Sequence, residues 1–136
     1  MEPEILLAKM ESLSRCIHRV ESRRPDTLEE LIDNLDTQDI IVINLERAVQ
    51  LCVDSGLHIL SSESMSSVES MADVFLQLSR KKIIAEKLAL NLISAVGFRN
   101  IAVHEYRAID WGIVWTIINH NLQDFREFQK AVLDLV

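Results

Sequence analysis

Leu6, Met10, Leu13, Ile17 and Val20 recur at intervals of four, three, four and three residues. That spacing sets all five on one narrow side of an α-helix and on no consistent face of a strand. A chain that opens this way needs a second helix to cover the seam. Pro3 suits a first helical turn, where its missing N–H costs nothing. The spacing predicts a helix from about Pro3 to Glu21, ended by the stretch Ser22 to Asp26 with Pro25 inside it. Arg15, Arg19 and Arg23 follow one another four apart and share the opposite face.

The same period continues downstream. Thr27, Leu28, Glu29 and Glu30 form a capping box, with Thr27 as N-cap and Glu30 reaching back. It opens a short helix carrying Leu28, Leu31, Ile32 and Leu35. Asp36 or Thr37 then caps a long helix to about Leu60. Its stripe of Ile41, Leu45, Ala48 and Cys52 is joined by Val42, Val49, Val53 and Ile59. Apolar residues on more than one face imply a central position or a subunit interface. Ser61 to Ser70, rich in Ser and Glu, reads as a mobile loop. A third helical region follows over about Met71 to Val96, with a break near Ser79 and Arg80, and Gly97 is expected to end it. Asp110 caps a last helix whose buried face is Val114, Ile118, Leu122, Phe125, Phe128 and Val132. Three Gly and two Pro in 136 residues leave few turns. The expected fold is all-α: an antiparallel bundle of four to five helices in one domain, 1–136.

Charge and cysteine content narrow the function. A formal net charge of −7 opposes bulk electrostatic binding of nucleic acid. An RNA ligand would have to be held by local clusters, of which there are two: Arg15, Arg19, Arg23 and Arg24, and Arg80, Lys81 and Lys82. Each also fits a solvated helix face. Two cysteines, Cys16 and Cys52, make neither a disulfide framework nor a zinc set, so no metal site is expected. The acidic start and the absence of a long apolar run predict a cytoplasmic protein without membrane attachment.

Of the four histidines, His18, His58 and His120 lack a partner set nearby. His104 has Asn100 four residues before it on one helical face, Arg99 just upstream and Tyr106 just downstream. The spacing alone fits a packed polar cluster as well as a reactive site. Asp54, amid the apolar stretch of the long helix, is a further carboxylate that would meet Arg99, another base or solvent.

The string Gly97, Phe98, Arg99, Asn100, Ile101, Ala102, Val103, His104, Glu105, Tyr106 resembles the signature of the HepT-like toxins of the HEPN superfamily: Arg-x-x-x-x-His-x-Tyr, preceded by Gly-Phe and with Asn after the Arg. The likeness extends to Gln38 and Asp39, Asn44 and Leu45, Val53 and Asp54, Phe75 with Leu78, and Ile109 with Asp110. It implies a metal-independent endoribonuclease acting on RNA, active as a homodimer, in a type VII-like toxin–antitoxin pair. The implied partner is an MntA-like minimal nucleotidyltransferase antitoxin that uses ATP and Mg to transfer AMP onto a tyrosine. Residue by residue, the resemblance makes Arg99 and His104 catalytic, Asn100 supporting and Tyr106 the site of AMP transfer. The ribonuclease itself would need no cofactor.

Those residue types suit the chemistry. RNA carries its own nucleophile, the 2′-hydroxyl, so cleavage needs proton management and charge stabilisation. Histidine titrates near neutrality and can move the proton, and arginine offers a permanently charged fork to phosphate oxygens. On one straight helix, however, Arg99 and His104 lie about 140° apart, with Tyr106 back near the arginine's side. We therefore expect Arg99 in a turn after Gly97, together with two copies of the segment facing each other across a two-fold axis. The surplus apolar surface of the long helix and the pair Trp111 and Trp115 would supply that interface, or else ordinary core. An alternative reading is a non-catalytic HEPN module that docks on a nucleotidyltransferase and binds a nucleotide.

Overall fold

The computed structural model describes residues 2–62 and 67–136. The helices in order are α1 (Pro3–Arg23), α2 (Leu28–Asp33), α3 (Leu35–Ser61), α4 (Met71–Arg80), α5 (Glu86–His104), α6 (Trp111–Thr116) and α7 (Leu122–Leu133). A 3-10 turn (Tyr106–Ala108) precedes α6, and a π-helical segment (Ile117–Asn121) joins α6 to α7. No strand occurs among the described residues. The loop expected over Ser61 to Ser70 falls partly on residues 63–66, which lie outside the described residues.

Antiparallel packing follows from where distant residues meet. The Glu2 N–H before α1 donates to His58 near the end of α3 at 3.2 Å. On α7, Arg126 pairs with Glu21 at 2.6 Å, and Gln129 reaches back to the Met10 carbonyl at 2.9 Å. The seam of α1 is buried as its spacing requires. The long helix is central: α3 touches α1, α2, α4, α5 and α7, which is why it is apolar on more than one face. Where α3 meets α4, Gly56 allows the close approach, because a Cβ there would collide with the Val74 side chain. Deep in the core, Phe75 of α4 and Phe128 of α7 meet edge to face, centroids 6.0 Å apart at 86°, a favoured aromatic geometry.

Capping explains most boundaries. Thr27 accepts from the Glu30 N–H and caps α2, and Asp110 accepts from the Gly112 N–H and caps α6. The long helix starts slightly earlier than its sequence suggests, because Asn34, not Asp36 or Thr37, accepts from the Thr37 N–H. Leu35 therefore belongs to α3, not to the short helix. Ser70 caps α4, which stops at Arg80 as expected.

Gly97 does not end a helix. α5 runs through it to His104, Gly97 has no positive φ, and a Cβ there would meet nothing within 4 Å. Glycine inside a helix costs about 1 kcal/mol, which burial of Leu88, Leu92, Val96 and Ala102 on the same helix offsets. The last helix is also interrupted. The π-helical segment shifts the hydrogen-bond ladder, and the Ile118 carbonyl within it accepts from Arg24 Nη1 at 2.9 Å. Among the described residues no helix is long and apolar enough to cross a membrane.

Candidate active site

The C-terminal end of α5 presents Arg99, Asn100 and His104, and it faces the first half of α3. Because α5 continues past Gly97, Arg99 lies on the helix and not in a turn, which corrects half of the expected solution to the spacing problem. Arg99 and His104 are thus about 7.5 Å apart along the axis and about 140° apart around it. One copy of the helix does not aim both at a single point.

Arg99 is half-buried. Its Nη1 donates to Asn100 Oδ1 at 3.3 Å and lies 4.0 Å from Met71 Sδ, while its Nε is buried with no partner. The nearest acidic influence is Glu46 of α3. Burial pushes the Glu46 carboxyl above its usual range, and Arg99, more than Arg47, pulls it back down. His104 is the last residue of α5, exposed, and its side chain makes no hydrogen bond among the described residues.

Tyr106 has left the helix. Glu105 closes α5 by donating to the Ile101 carbonyl at 2.8 Å, and the chain then tightens into the 3-10 turn. This carries the phenol to α3, where Tyr106 Oη donates to Asp39 Oδ1 at 2.5 Å. The ring packs edge-on against Trp111, centroids 6.2 Å apart. Burial pushes the phenol above its ordinary range; the Asp39 bond and the Asp39 and Glu46 charges act in the same direction. Tyr106 is nevertheless 40% exposed.

The fold thus gathers Arg99, Tyr106, Asp39 and Glu46, with Asn100 beside the arginine and His104 on the open side. Asp39 and Glu46 carry no role in the sequence reading. Their seven-residue spacing sets them on one side of α3, but only the path of the chain after His104 shows what they face. Asp54 does not meet Arg99; it accepts from Gln50 Nε2 at 2.8 Å. Trp111 and Trp115 are half-buried against the core. Among the described residues no group of three or more His, Cys, Asp or Glu is arranged to hold a metal ion.

A helical bundle with arginine, histidine and tyrosine clustered at one helix end is of the HEPN type. Residues 13–132 match the family described as Ribonuclease HepT-like, and the chain belongs to that family. It is 32% identical to the mRNA nuclease HepT of Shewanella oneidensis over 95% of this chain and 96% of that protein. To the tRNA nuclease HepT of Aphanizomenon flos-aquae it is 26% identical, over 97% of this chain and 90% of the relative. Its fold matches a tri-AMPylated HEPN toxin of Shewanella oneidensis, solved in complex with MNT antitoxin. That match has a TM-score of 0.91 and 30% identity, over 98% of this chain and 99% of the other.

Proposed function

We propose that this chain is the endoribonuclease toxin of a two-component pair, cutting RNA at a site made of Arg99 and His104 and silenced by AMP transfer to Tyr106. One observation carries the reading: the Arg99 Nε, a buried donor without an acceptor. Leaving such a group unmet costs about 1–3 kcal/mol or more, and an incoming phosphate oxygen would satisfy it. In the reaction His104 takes the proton of the 2′-hydroxyl, the 2′-oxygen attacks phosphorus, and the bond to the 5′-oxygen breaks. The leaving oxygen collects a proton, and a 2′,3′-cyclic phosphate remains. Arg99 stabilises the crowded phosphorane, and Asn100 steadies its guanidinium.

A homodimer through this face answers the 140° separation: the partner copy brings a second His104 toward the first copy's Arg99, so acid and base come from two subunits. Ile43, Ile101 and Val103, each more than 40% exposed around the site, give that interface apolar contact. The unit acting is the whole chain, 1–136, in the cytoplasm.

Control follows from Tyr106. The partner would be a nucleotidyltransferase antitoxin using ATP with Mg; the tri-AMPylated relative, solved with MNT antitoxin, supports the AMP transfer. Tyr106 Oη attacks the α-phosphorus, pyrophosphate leaves, and Asp39 accepts the phenolic proton. The attached AMP then lays its phosphate against Arg99 and blocks the substrate's place.

The test is expression of the chain alone. Growth arrest, RNA fragments ending in 2′,3′-cyclic phosphate, and loss of both in His104→Ala are expected. Fragments with a 3′-hydroxyl end would refute the route, and nucleotide binding without cleavage would favour a non-catalytic module. Tyr106→Phe is expected to keep cutting while escaping the antitoxin.

A further inference from the structure

Farther around α3 lies a second cleft, between α1 and α3, of about 430 Å³, with three arginines in its lining. We propose that this cleft holds the phosphodiester backbone of RNA outside the cleaved bond, through Arg15, Arg19 and Arg47. The inference rests on the ribonuclease reading for its ligand class, and on the cleft itself for its place.

Three guanidinium groups converge here from two helices. Arg15 and Arg19, one turn apart on α1, and Arg47 of α3 all line the cleft. They also converge on Cys16 at its wall: burial pushes the Cys16 thiol up, and Arg47, Arg15 and Arg19 together pull against that rise. Arg15 is bonded to Glu11 at 3.0 Å, an exposed pair that a phosphate can displace at little cost. The side chains of Arg19 and Arg47 make no ion pair or hydrogen bond among the described residues. The one carboxylate in the wall, Asp54, accepts from Gln50 and stands against three arginines, so the lining keeps an excess of positive charge.

The wall contains a second unmet group. Asn44 is buried; its Nδ2 donates to the Ile40 carbonyl at 2.7 Å, and its Oδ1 has no partner. That oxygen only accepts, so the RNA group to meet it is a ribose 2′-hydroxyl and not the phosphate. Arg99 Nε and Asn44 Oδ1 are the buried side-chain polar atoms without a partner among the described residues. One belongs to the candidate active site and the other to this cleft.

Position joins the two sites. Glu46 faces Arg99, and Arg47, the next residue, lines the cleft. Consecutive residues stand about 100° apart on a helix of about 10–12 Å diameter, an arc of roughly 9 Å. A few nucleotides span that distance. A protein of net charge −7 repels RNA as a whole and must hold it with concentrated local cations. The other basic cluster is less suited, because Lys81 and Lys82 share their groove with Glu127 and Asp134.

The test uses His104→Ala protein, which should bind without cutting, and a fluorescein-labelled single-stranded RNA oligonucleotide. Its Kd is measured between about 50 and about 200 mM salt. Adding Arg19→Gln and Arg47→Gln should weaken binding and flatten the log–log salt slope by about 0.7 per lost phosphate contact. Arg23→Gln, outside the cleft, should change it less. In otherwise unaltered protein, the same pair should raise KM for long RNA by a larger factor than KM for a dinucleotide. An unchanged slope in the paired variant overturns the cleft, as does an equal change in Arg23→Gln. So does loss of antitoxin binding with RNA binding intact. If neither RNA is cut but the slope still falls, the ribonuclease reading fails and the cleft stands.

Discussion

The two flanks of α3 are built from opposite charges. Toward α5 the helix offers Asp39 and Glu46, set against a phenol and a half-buried guanidinium. Toward α1 it offers Arg47 and Asn44, set against two more arginines. Between and behind them the same helix buries an apolar surface that packs, among the described residues, without unmet side-chain polar atoms beyond those two flanks. Polar groups are ordinarily satisfied when buried, so the two exceptions mark where something from outside is expected to complete the structure. On the α5 flank carboxylates restrain reactive groups, and on the α1 flank cations stand ready for an anion. On the proposed reading, chemistry and holding are separated by the width of one helix.

The largest expected effect breaks one flank and spares the other. His104→Ala should lower RNA cleavage by about 10²–10⁴-fold, the usual worth of a positioned acid–base group. With an exposed side chain that makes no hydrogen bond among the described residues, His104 should leave the melting temperature almost unchanged when replaced. A drop in stability of several kcal/mol by thermal melt would mean that His104 is structural.

Phe128→Ala sharpens the contrast from the core. The ring is fully buried against Phe75, and such truncations cost about 3–5 kcal/mol. Urea unfolding should register that loss, while kcat per folded molecule stays near its original value. A selective loss of kcat in the still-folded protein would show that core and site are coupled.

Much of this core is legible in the sequence, because a seam such as Leu6, Met10, Leu13, Ile17 and Val20 is decided by period alone. The cap of α2 at Thr27 and that of α6 at Asp110 are legible for a similar reason: side-chain oxygens bond to N–H groups two or three residues on. Gly97 misleads because glycine marks a helix end only when its backbone adopts positive φ, and tertiary packing decides otherwise here. The site is half legible. Arg99, Asn100, His104 and Tyr106 are close in sequence, and a resemblance carries them. Asp39 lies 67 residues from its partner Tyr106, and no local rule connects them. Arg47 is missing from the sequence's basic clusters because it joins Arg15 and Arg19 only once α3 lies along α1.

Asp39→Asn probes what the acidic flank adds to the modification step. If Asp39 takes the phenolic proton, the amide, which cannot, should slow AMP transfer to Tyr106 by roughly 10²-fold, the low end for such groups. RNA cleavage by the unmodified variant should be little changed, since the hydrogen bond of Asp39 is to Tyr106 and not to Arg99 or His104. The distinguishing readout is the pH profile of AMP transfer. Raising the pH should recover part of the rate in Asp39→Asn, where hydroxide or buffer must do the carboxylate's work. A uniform decrease at every pH would reduce Asp39 to a positioning residue.

The smallest effect concerns stability in alkali. The phenol of Tyr106 ionises with more difficulty in the folded chain than in the unfolded one, because it is partly buried and bonded to a carboxylate. A group whose folded pKa is raised binds its proton more tightly in the native state. Its contribution is therefore fully present below the unfolded tyrosine pKa of about 10, and it declines as pH rises from there through the folded value. Tyr106→Phe removes that titration. Wild type should lose more stability than Tyr106→Phe between about pH 10 and the onset of general alkaline unfolding, with the two curves parallel below about pH 9. Because the tyrosine is partly exposed, solvent screens the interaction and the divergence should be modest. Curves that stay parallel throughout would show that the Asp39 bond is too weakly formed in solution to hold the phenol in place. The acidic flank of α3 would then restrain Arg99 alone.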